Sequence, residues 1–381
     1  MICQKSKVAD WVEHFKKYYP EYKIYDMTDN HKAAKRSLDY GFWLNYRNGT
    51  SMDSILVINY ELAFRRKELL QLRDFTLMLD ESSLIQNEYA KRSRFILKLK
   101  PESVILLSGT PTSGKYEKLW SQLRLLGWDI AKSTFYASYI ETRWLDFGGF
   151  QREVVTGYKN VDHLKKRLIE YGAVFMKTDE VMELPDQTEQ MIYLSPTPDY
   201  KKFQKSGYLR MKDGTEIVGD NSLTKILGER QLCGMYHKDK LEAFTDLINS
   251  TEDRLIVFYN FNRELELLTK IAAAKPISIV NGSVKDLKAY ESKDNSITFV
   301  QYQAGAMGLN LQKANKVIYF TLPLGKGSCD LWEQSKKRIH RIGQTKGCFY
   351  YYLLVKNSIE EKNLESLRLG RDLTNELFKN Q

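Results

Sequence analysis

Cysteine, histidine and long apolar runs are scarce in this 381-residue sequence, and each scarcity excludes a class of site. The cysteines lie far apart without a CxxC pair, which excludes a disulfide framework or a zinc cluster: Cys3, Cys233, Cys329 and Cys348. The five histidines show no metal-ligand spacing. No stretch approaches the roughly 18 apolar residues of a membrane helix, and charges interrupt the N-terminus at once. We expect an intracellular protein without a membrane partner, cytoplasmic if it comes from a bacterium or phage.

Positive charge is in excess. The chain has 58 Lys and Arg against 48 Asp and Glu, a net charge of +10. This balance favours a polyanionic partner such as nucleic acid. At about 150 residues per domain, the length predicts two or three domains.

The order of apolar runs predicts an α/β protein with parallel sheets, because short strand-like runs alternate with amphipathic stretches. In residues 1–130, SILVINYE, FTLMLDE and SVILLSG are typical of buried strands. Residues 131–185 lose this pattern and predict a small helical connector. A second α/β series with a closing C-terminal helix is predicted for residues 186–381.

Polar side chains follow two of the predicted strands. Asp80 and Glu81 end the first, and Ser108, Gly109 and Thr110 follow the second. In phosphate chemistry, a strand-end Asp can hold magnesium and a neighbouring Glu can activate water. Taken alone, Asp80 and Glu81 are more typical of a solvated turn. Ser108 and Thr110, taken alone, are more typical of a helix N-cap.

A basic segment, EQSKKRIHRIGQTK, lies near the C-terminus. If its first part is helical, Gln334 and Arg338 are one turn apart on one face, with Arg341 three residues further on. Arginines in this arrangement can stabilise charge on a γ-phosphate, although a solvated basic helix is the simpler interpretation. Upstream, Gly305 and Gly308 predict a tight turn between two strands, which alone carries no function.

The stretch SGTPTSGKYEKLW contains a partial phosphate-loop pattern. Gly109, Gly114 and Lys115 match GxxxxGK, but Tyr116 stands where that pattern has Ser or Thr. Pro111 also removes a backbone N–H that such a loop uses. We interpret the match as coincidental. The alternative is a permuted phosphotransferase centred on Lys115, which would give the segment RIHRIGQ no function.

Taken in order, these segments resemble the helicase superfamily two ATPases, specifically their Swi/Snf-like branch of double-stranded DNA translocases. CQKSKVADWVEHF is similar to motif Ia, LMLDESSLIQN to motif II and LLSGTPTSGKYEKLW to motif III. LIVFYNFNRELELL, AGAMGLNL and EQSKKRIHRIGQ are similar to motifs IV, V and VI. The resemblance covers nearly the whole chain, with departures at Ser83 and Gly114.

The resemblance implies two RecA-like parallel-sheet lobes, the first truncated at its N-terminus, with ATP and magnesium as cofactors and double-stranded DNA as partner. It implies that Asp80 binds magnesium, that Glu81 activates water and that Arg338 and Arg341 act as arginine fingers. The remaining residues carry implied roles in nucleotide binding (Gln334, Gly308), coupling (Ser108, Gly109, Thr110) and DNA contact (Lys5, Ser6, Gly305, Asn310).

One part of this family pattern has no counterpart. The phosphate loop, motif I, should precede motif Ia by one helix and one strand, but only Met1 precedes the motif Ia strand. The loop is then either lost by truncation or carried by a separate polypeptide, and we expect weak or absent ATP hydrolysis by this chain alone. A non-catalytic DNA-binding or regulatory module remains the alternative function.

Overall fold

The computed structural model describes most of the chain in two compact units. The described residues are 1–28, 42–43, 46, 49, 53–146, 149, 151–174, 183–212, 214–305, 308–325 and 327–377. Unit one comprises Met1–Phe175 with Leu373–Gln381, and unit two comprises Met176–Asp372. Among these described residues, no helix is long and apolar enough to cross a membrane.

Unit one contains a parallel sheet with the strand order β2-β3-β1-β4-β5. Its strands are Ile2–Cys3 (β1), Lys23–Asp26 (β2), Ser54–Asn59 (β3), Thr76–Asp80 (β4) and Ser103–Leu107 (β5). Its helices are Val8–Tyr18 (α1), Tyr60–Ala63 (α2), Lys91–Ile96 (α3) and Trp120–Leu125 (α4). Short 3-10 turns lie at Lys5–Lys7, Lys67–Gln71, Ser82–Ile85 and Tyr116–Leu119. The strands predicted from SILVINYE, FTLMLDE and SVILLSG are confirmed.

The two faces of this sheet carry different apolar clusters, because successive strand residues point to opposite sides. On one face, α1 packs Val8 and Phe15 against Cys3 and Val57. The other face carries a larger cluster that includes residues from α2, α3 and every strand of the sheet. The face under α1 carries Cys3 of β1 and Met78 of β4. Trp11 of α1 bonds to Asp80, so α1 lies next to the carboxyl end of β4.

Residues 131–174 are not purely helical, so the predicted helical connector is wrong in that respect. The elements are Lys132–Tyr139 (α5), Ile140–Asp146 (β6), Gln151–Tyr158 (β7) and Val161–Glu170 (α6). The strands β6 and β7 form an antiparallel hairpin. This segment belongs to unit one and packs against the turn Tyr116–Leu119 through a cluster that includes Tyr116, Phe135 and Leu164. The predicted boundary at residue 130 therefore falls inside a packed unit.

Unit two contains a larger sheet with the order β13-β12-β14-β11-β15-β16-β8, parallel except for the pairing of β13 with β12. Its strands are Gln187–Leu194 (β8), Leu255–Tyr259 (β11), Ile277–Val280 (β12), Lys285–Asp286 (β13), Ile297–Gln301 (β14), Lys316–Tyr319 (β15) and Cys348–Val355 (β16). A separate hairpin joins Tyr208–Arg210 (β9) to Glu216–Val218 (β10).

The helices of unit two surround this sheet. They are Pro198–Ser206 (α7), Ser222–Cys233 (α8), Lys238–Asn249 (α9), Asn262–Ile271 (α10), Lys288–Ser292 (α11), Tyr302–Gly305 (α12), Ser328–Lys336 (α13) and Ile359–Leu377 (α14), of which the residues up to Asp372 belong to unit two. The five residues of β11 are all buried, as expected of a central parallel strand. The predicted second α/β series and its closing helix are confirmed.

A buried ion pair holds the closing helix to unit two. The Lys240 ammonium lies 2.5 Å from Oε1 of Glu360, and both side chains are almost inaccessible to solvent. The other carboxylate oxygen of Glu360 accepts a hydrogen bond from the backbone N–H of Val355. The pair therefore connects α9 to the start of α14 and the end of β16.

We expect Lys240→Met to destabilise unit two by about 3–5 kcal/mol, because it leaves the Glu360 carboxylate buried without its cation. Urea denaturation followed by circular dichroism measures this loss. Lys313→Met is the matched control, since Lys313 pairs with Glu291 at the surface, where such pairs contribute about 0–1 kcal/mol. Equal losses in the two variants would contradict the structural role of the buried pair.

Candidate functional site

The carboxyl ends of three neighbouring strands bring the predicted residues of unit one together. The strand β4 ends at Asp80, whose register partner in β5 is Leu107. The strand β1 lies on the other side of β4 and leads directly into the turn Lys5–Lys7. Parallel strands that end at one edge place the residues that follow them at that edge, which is where open α/β sheets bind ligands. This edge carries Lys5, Ser6, Asp80, Glu81, Ser108, Gly109 and Thr110.

Asp80 is held in place by two aromatic side chains. The indole N–H of Trp11, on α1, donates to Oδ2 of Asp80 over 2.9 Å. The Tyr60 hydroxyl donates to the backbone carbonyl of Asp80 over 2.8 Å. Burial, and then the negative charge of Asp80, raise the pKa of Tyr60, so this hydroxyl stays a donor at neutral pH. The same two causes raise the pKa of Cys3 to about 12, which keeps that thiol protonated.

Glu81 adopts a strained backbone conformation. Its φ of 53° lies in the left-handed region, which glycine adopts easily and glutamate rarely does. Such strain costs of order 1–3 kcal/mol and is concentrated at functional sites. The conformation turns the chain sharply after β4, so that Glu81 and Asp80 share the carboxyl edge instead of continuing along the strand.

The oxygen donors at this edge suit magnesium bound together with a phosphate. Among the described residues, no group of three or more His, Cys, Asp and Glu could form a protein cage for a metal. Magnesium does not require one, since it is commonly held by one or two carboxylates, water and substrate phosphates. Asp80, fixed by Trp11, supplies a carboxylate of the required kind.

The segment containing Gly114 and Lys115 bonds to itself. The N–H of Ser113 donates to the Thr110 carbonyl, and that of Lys115 donates to the Thr112 carbonyl over 2.9 Å. The Gly114 N–H donates to the Thr112 hydroxyl. A phosphate loop needs its backbone N–H groups directed at the anion, whereas these are engaged within a turn. The geometry supports the interpretation that the GxxxxGK match is coincidental.

Two glutamines that the sequence analysis missed fix this turn. The side-chain amides of Gln86 and Gln122 donate to the Pro111 carbonyl over 2.9 and 2.7 Å. Their carbonyl oxygens accept from the Ser113 and Ser82 hydroxyls, respectively. Because Ser82 follows Glu81 directly, these bonds connect the acidic turn after β4 to the hydroxyl-rich turn after β5. Sequence spacing gives no signal for such long-range amide contacts.

In unit two, the predicted residues Gly305, Gly308 and Asn310 follow β14 at the carboxyl edge of the second sheet. Gly305 ends the short helix α12. Gly308 has a φ of +70°, so a glycine suits that turn. Asn310 is exposed, while the leucines on either side of it are buried in the core.

The arginine segment differs from the continuous helix considered above. Gln334 lies on α13, but this helix ends at Lys336, so Arg338 and Arg341 lie in the turns that follow it. The reason is a competing contact, because the Arg338 carbonyl accepts a hydrogen bond from the N–H of Leu311. Arg341 donates to the Leu309 carbonyl over 3.4 Å. The arginines are therefore joined to the loop that contains Gly308 and Asn310.

Gln344 closes the RIHRIGQ segment. Its buried side-chain N–H₂ donates to the carbonyls of Gln312, Ala314 and Ile339, and its carbonyl oxygen accepts from two backbone N–H groups. Ile339 is fully buried, and Gly343 has a φ of +92°. Ile339, Gly343 and Gln344 thus position the turns that carry Arg338 and Arg341.

Comparison with known proteins assigns the class. The chain has two α/β units, one with an acidic turn and the other with an arginine turn at a sheet edge. The SNF2-related domain matches residues 1–238, and the helicase conserved C-terminal domain matches residues 239–345. The chain belongs to the SNF2-related family.

Relatives named in this family are distant in sequence. The chain is 23% identical over 96% of its length to the mouse SWI/SNF-related matrix-associated actin-dependent regulator of chromatin subfamily A member 1, covering 37% of that protein. It is 25% identical over 82% of its length to the Arabidopsis thaliana ATP-dependent DNA helicase DDM1, covering 46%. The chain therefore spans less than half the length of these relatives.

A solved structure also matches, at lower similarity. It is the Sulfolobus solfataricus SWI2/SNF2 ATPase core in complex with dsDNA, with 19% identity and a TM-score of 0.39. The match covers 99% of this chain and 81% of the other.

We expect Gln122→Leu to destabilise unit one by about 1–3 kcal/mol, because it leaves the Pro111 carbonyl without one of its two amide donors and the Ser82 hydroxyl without its acceptor. Hydrogen exchange at residues 110–115 should rise together with this loss. Gln151→Leu, an exposed substitution on the β6–β7 hairpin, should change stability by less than about 0.5 kcal/mol. Unchanged hydrogen exchange at residues 110–115 in Gln122→Leu would contradict the role of Gln122 in fixing this turn.

Proposed function

We propose that this chain is the motor core of an ATP-dependent translocase acting on double-stranded DNA. The observation that carries the proposal is the convergence of Asp80 and Glu81 with Ser108–Thr110 at one carboxyl edge, in a chain of the SNF2-related family. Coupling hydrolysis to movement requires a physical connection between the hydrolytic groups and the turn after β5. The bonds of Gln122 to Ser82 and Pro111 provide such a connection.

In this proposal, each residue of the acidic turn has a separate role. Asp80 would hold the magnesium ion of magnesium-bound ATP, which would neutralise charge on the phosphates. Glu81 would orient and deprotonate the attacking water, and its left-handed backbone places it in the turn that follows β4. Trp11 is a positioning residue for Asp80 through its indole N–H.

The arginine turn of unit two supplies positive charge. Arg338 and Arg341 stabilise the charge that develops on the transferred phosphoryl group, while Gln334 and Gly308 contribute to the nucleotide site. Their support is the set of backbone contacts that joins this turn to the loop after β14. These roles are inferred from the family.

DNA contact is assigned to groups that follow strands at the carboxyl edges of the two sheets. Lys5 and Ser6 are exposed after β1, while Gly305 and Asn310 follow β14. A cation, a hydroxyl, an amide and a glycine backbone suit phosphate oxygens, and such contacts are independent of base sequence. The net charge of +10 acts in the same direction.

We further propose that the chain by itself hydrolyses ATP weakly or not at all. The candidate loop in unit one, Ser113–Lys115, has its backbone N–H groups engaged within the turn. The phosphate loop would then have to come from outside these 381 residues. The same observation favours one alternative, that the chain serves as a non-catalytic DNA-binding or regulatory module.

We expect double-stranded DNA to bind this chain without sequence preference and to dissociate as salt rises. Lys5→Ala should weaken binding to all duplexes equally and reduce the slope of log K against log salt by about 1, because one phosphate contact is lost. Fluorescence anisotropy at several salt concentrations measures both. Lys16 lies on the exposed last turn of α1, away from the carboxyl ends of the strands, so Lys16→Ala should leave the slope unchanged. A sequence-specific duplex preference would count against the proposal.

The purified 381-residue chain should show ATP turnover close to background in the presence of duplex DNA, because the backbone N–H groups of the candidate loop Ser113–Lys115 bond within their own turn. Lys115→Ala should leave that low rate unchanged. A coupled phosphate-release assay measures both rates. Robust turnover by the wild-type chain that Lys115→Ala abolishes would show that Gly109–Lys115 is a phosphate loop after all.

A further inference from the structure

A buried glutamate lies at the carboxyl edge of the unit-two sheet. Glu264 stands in the first turn of α10, and its side chain is fully buried. The helix α10 follows β11, so Glu264 lies directly beyond the end of that strand. A glutamate is almost never fully buried unless a partner compensates it. The contacts of Glu264 therefore indicate what its burial serves.

One carboxyl oxygen of Glu264 joins two turns that follow different strands. Oε2 accepts hydrogen bonds from the backbone N–H groups of Asn260 and Phe261, after β11, over 2.9 and 3.1 Å. It also accepts from the Thr321 hydroxyl, after β15, over 3.0 Å. The Asn260 side-chain amide donates to the Thr321 hydroxyl and to the Leu322 carbonyl, over 2.9 and 3.0 Å. The ends of β11 and β15 are thus tied together through the Glu264 side chain.

The other oxygen of Glu264, Oε1, is buried against the C-terminus of α8. It has no hydrogen-bond partner within the described part of the chain. A Cβ atom on Gly234, which follows α8 directly, would lie 2.5 Å from Oε1, so a glycine leaves the room that the carboxyl group needs. The Arg230 carbonyl lies 3.3 Å from the same Cβ position. Carbonyl oxygens at a helix C-terminus disfavour a negative charge, so these surroundings suit a neutral carboxyl group better than a carboxylate.

The turn after β15 also fixes the start of the loop that follows β14. The Tyr302 hydroxyl, which is buried, donates to the Thr321 carbonyl over 3.0 Å. Tyr302 begins α12, which ends at Gly305, one of the DNA-contact residues proposed above. The side chain of Gln301, the last residue of β14, donates to the Asn260 carbonyl over 3.1 Å. The neighbouring strands β14, β11 and β15 are therefore connected beyond their ends.

We infer that Glu264 is a positioning residue for the DNA-contact loop after β14. Its carboxyl group holds the turns at Asn260 and Thr321 in one arrangement, and the Thr321 turn holds Tyr302, from which the loop begins. The part of this inference that concerns DNA contact rests on the proposed function. The connection between the turns does not.

Ionisable groups on four other elements interact electrostatically with Glu264. They are Tyr259 of β11, Arg230 of α8, Lys240 of α9 and Tyr302 of α12. Burial is the largest influence and raises the pKa of Glu264 above its ordinary value. The folded state therefore binds this proton more tightly than the unfolded chain. The resulting stabilisation is complete below the ordinary glutamate pKa of about 4.3 and is lost as the pH rises through the raised value.

Substitutions at Glu264 separate a positioning role from a merely structural one. Glu264→Gln keeps an oxygen acceptor and adds an N–H₂ group beside the C-terminal carbonyls of α8, so it should bind duplex DNA like wild type. Glu264→Leu keeps a similar volume without an acceptor, and its affinity should fall by about fivefold or more. Fluorescence anisotropy measures both. The control Glu266→Gln removes an exposed carboxylate from the same helix and should bind like wild type. If Glu264→Leu does not fold, Thr321→Val takes its place, because it removes only the hydroxyl.

The pH dependence of stability provides a second readout. The stability of Glu264→Gln relative to wild type should increase as the pH rises above about 4.3, because only wild type must then give up a proton from its folded state. Urea denaturation at several pH values measures this difference. A difference that is the same at every pH, or a Glu264→Gln variant that binds duplex DNA as weakly as Glu264→Leu, would overturn the inference.

Hydrogen exchange separates failure of this inference from failure of the proposed function. Faster exchange at residues 302–305 in Glu264→Leu than in wild type would support the connection without any use of DNA. If Glu264→Leu loses stability while this exchange and the duplex affinity stay unchanged, Glu264 is structural only and the inference is wrong. If the exchange rises but wild type binds no duplex DNA, the connection stands and the proposed function fails.

Discussion

The parallel arrangement of β1, β4 and β5 is the constraint on which the rest of unit one depends. Because the three strands run in one direction, the residues that follow them meet at one edge. The edge brings together residues as far apart in sequence as Lys5, Asp80 and Ser108. Backbone strain at Glu81 and the bonds of Trp11 and Tyr60 then fix the acidic turn at this edge.

The same constraint explains why polar side chains accumulate around otherwise apolar sheets. Gln86 and Gln122 in unit one and Gln344 in unit two each bond main-chain carbonyls of neighbouring loops. A buried carbonyl without a partner is costly, so loops that stack at a sheet edge need such donors. These glutamines therefore fix the turns that carry the candidate catalytic residues.

Much of this architecture could be predicted from the sequence, because buried parallel strands such as LIVFY and TLMLD read as continuous apolar runs. Asp80, Glu81 and Ser108 were identifiable because they follow such runs directly. The hairpin at Ile140–Tyr158 could not be predicted in this way, since its strands are mostly exposed and mix charged with aromatic residues. The sequence also did not predict that α13 ends before Arg338, because this end depends on a hydrogen bond with Leu311, which is distant in sequence.

The central claim, that Glu81 activates water in a DNA-dependent ATPase, is tested most directly by one substitution. The measurement is duplex-stimulated ATP hydrolysis by this chain with a phosphate-loop segment supplied to it, either fused or as a separate peptide, comparing wild type with Glu81→Gln. The account predicts turnover that Glu81→Gln lowers by at least a hundredfold while duplex affinity stays unchanged, since only the base is lost. Equal turnover in both proteins would contradict it.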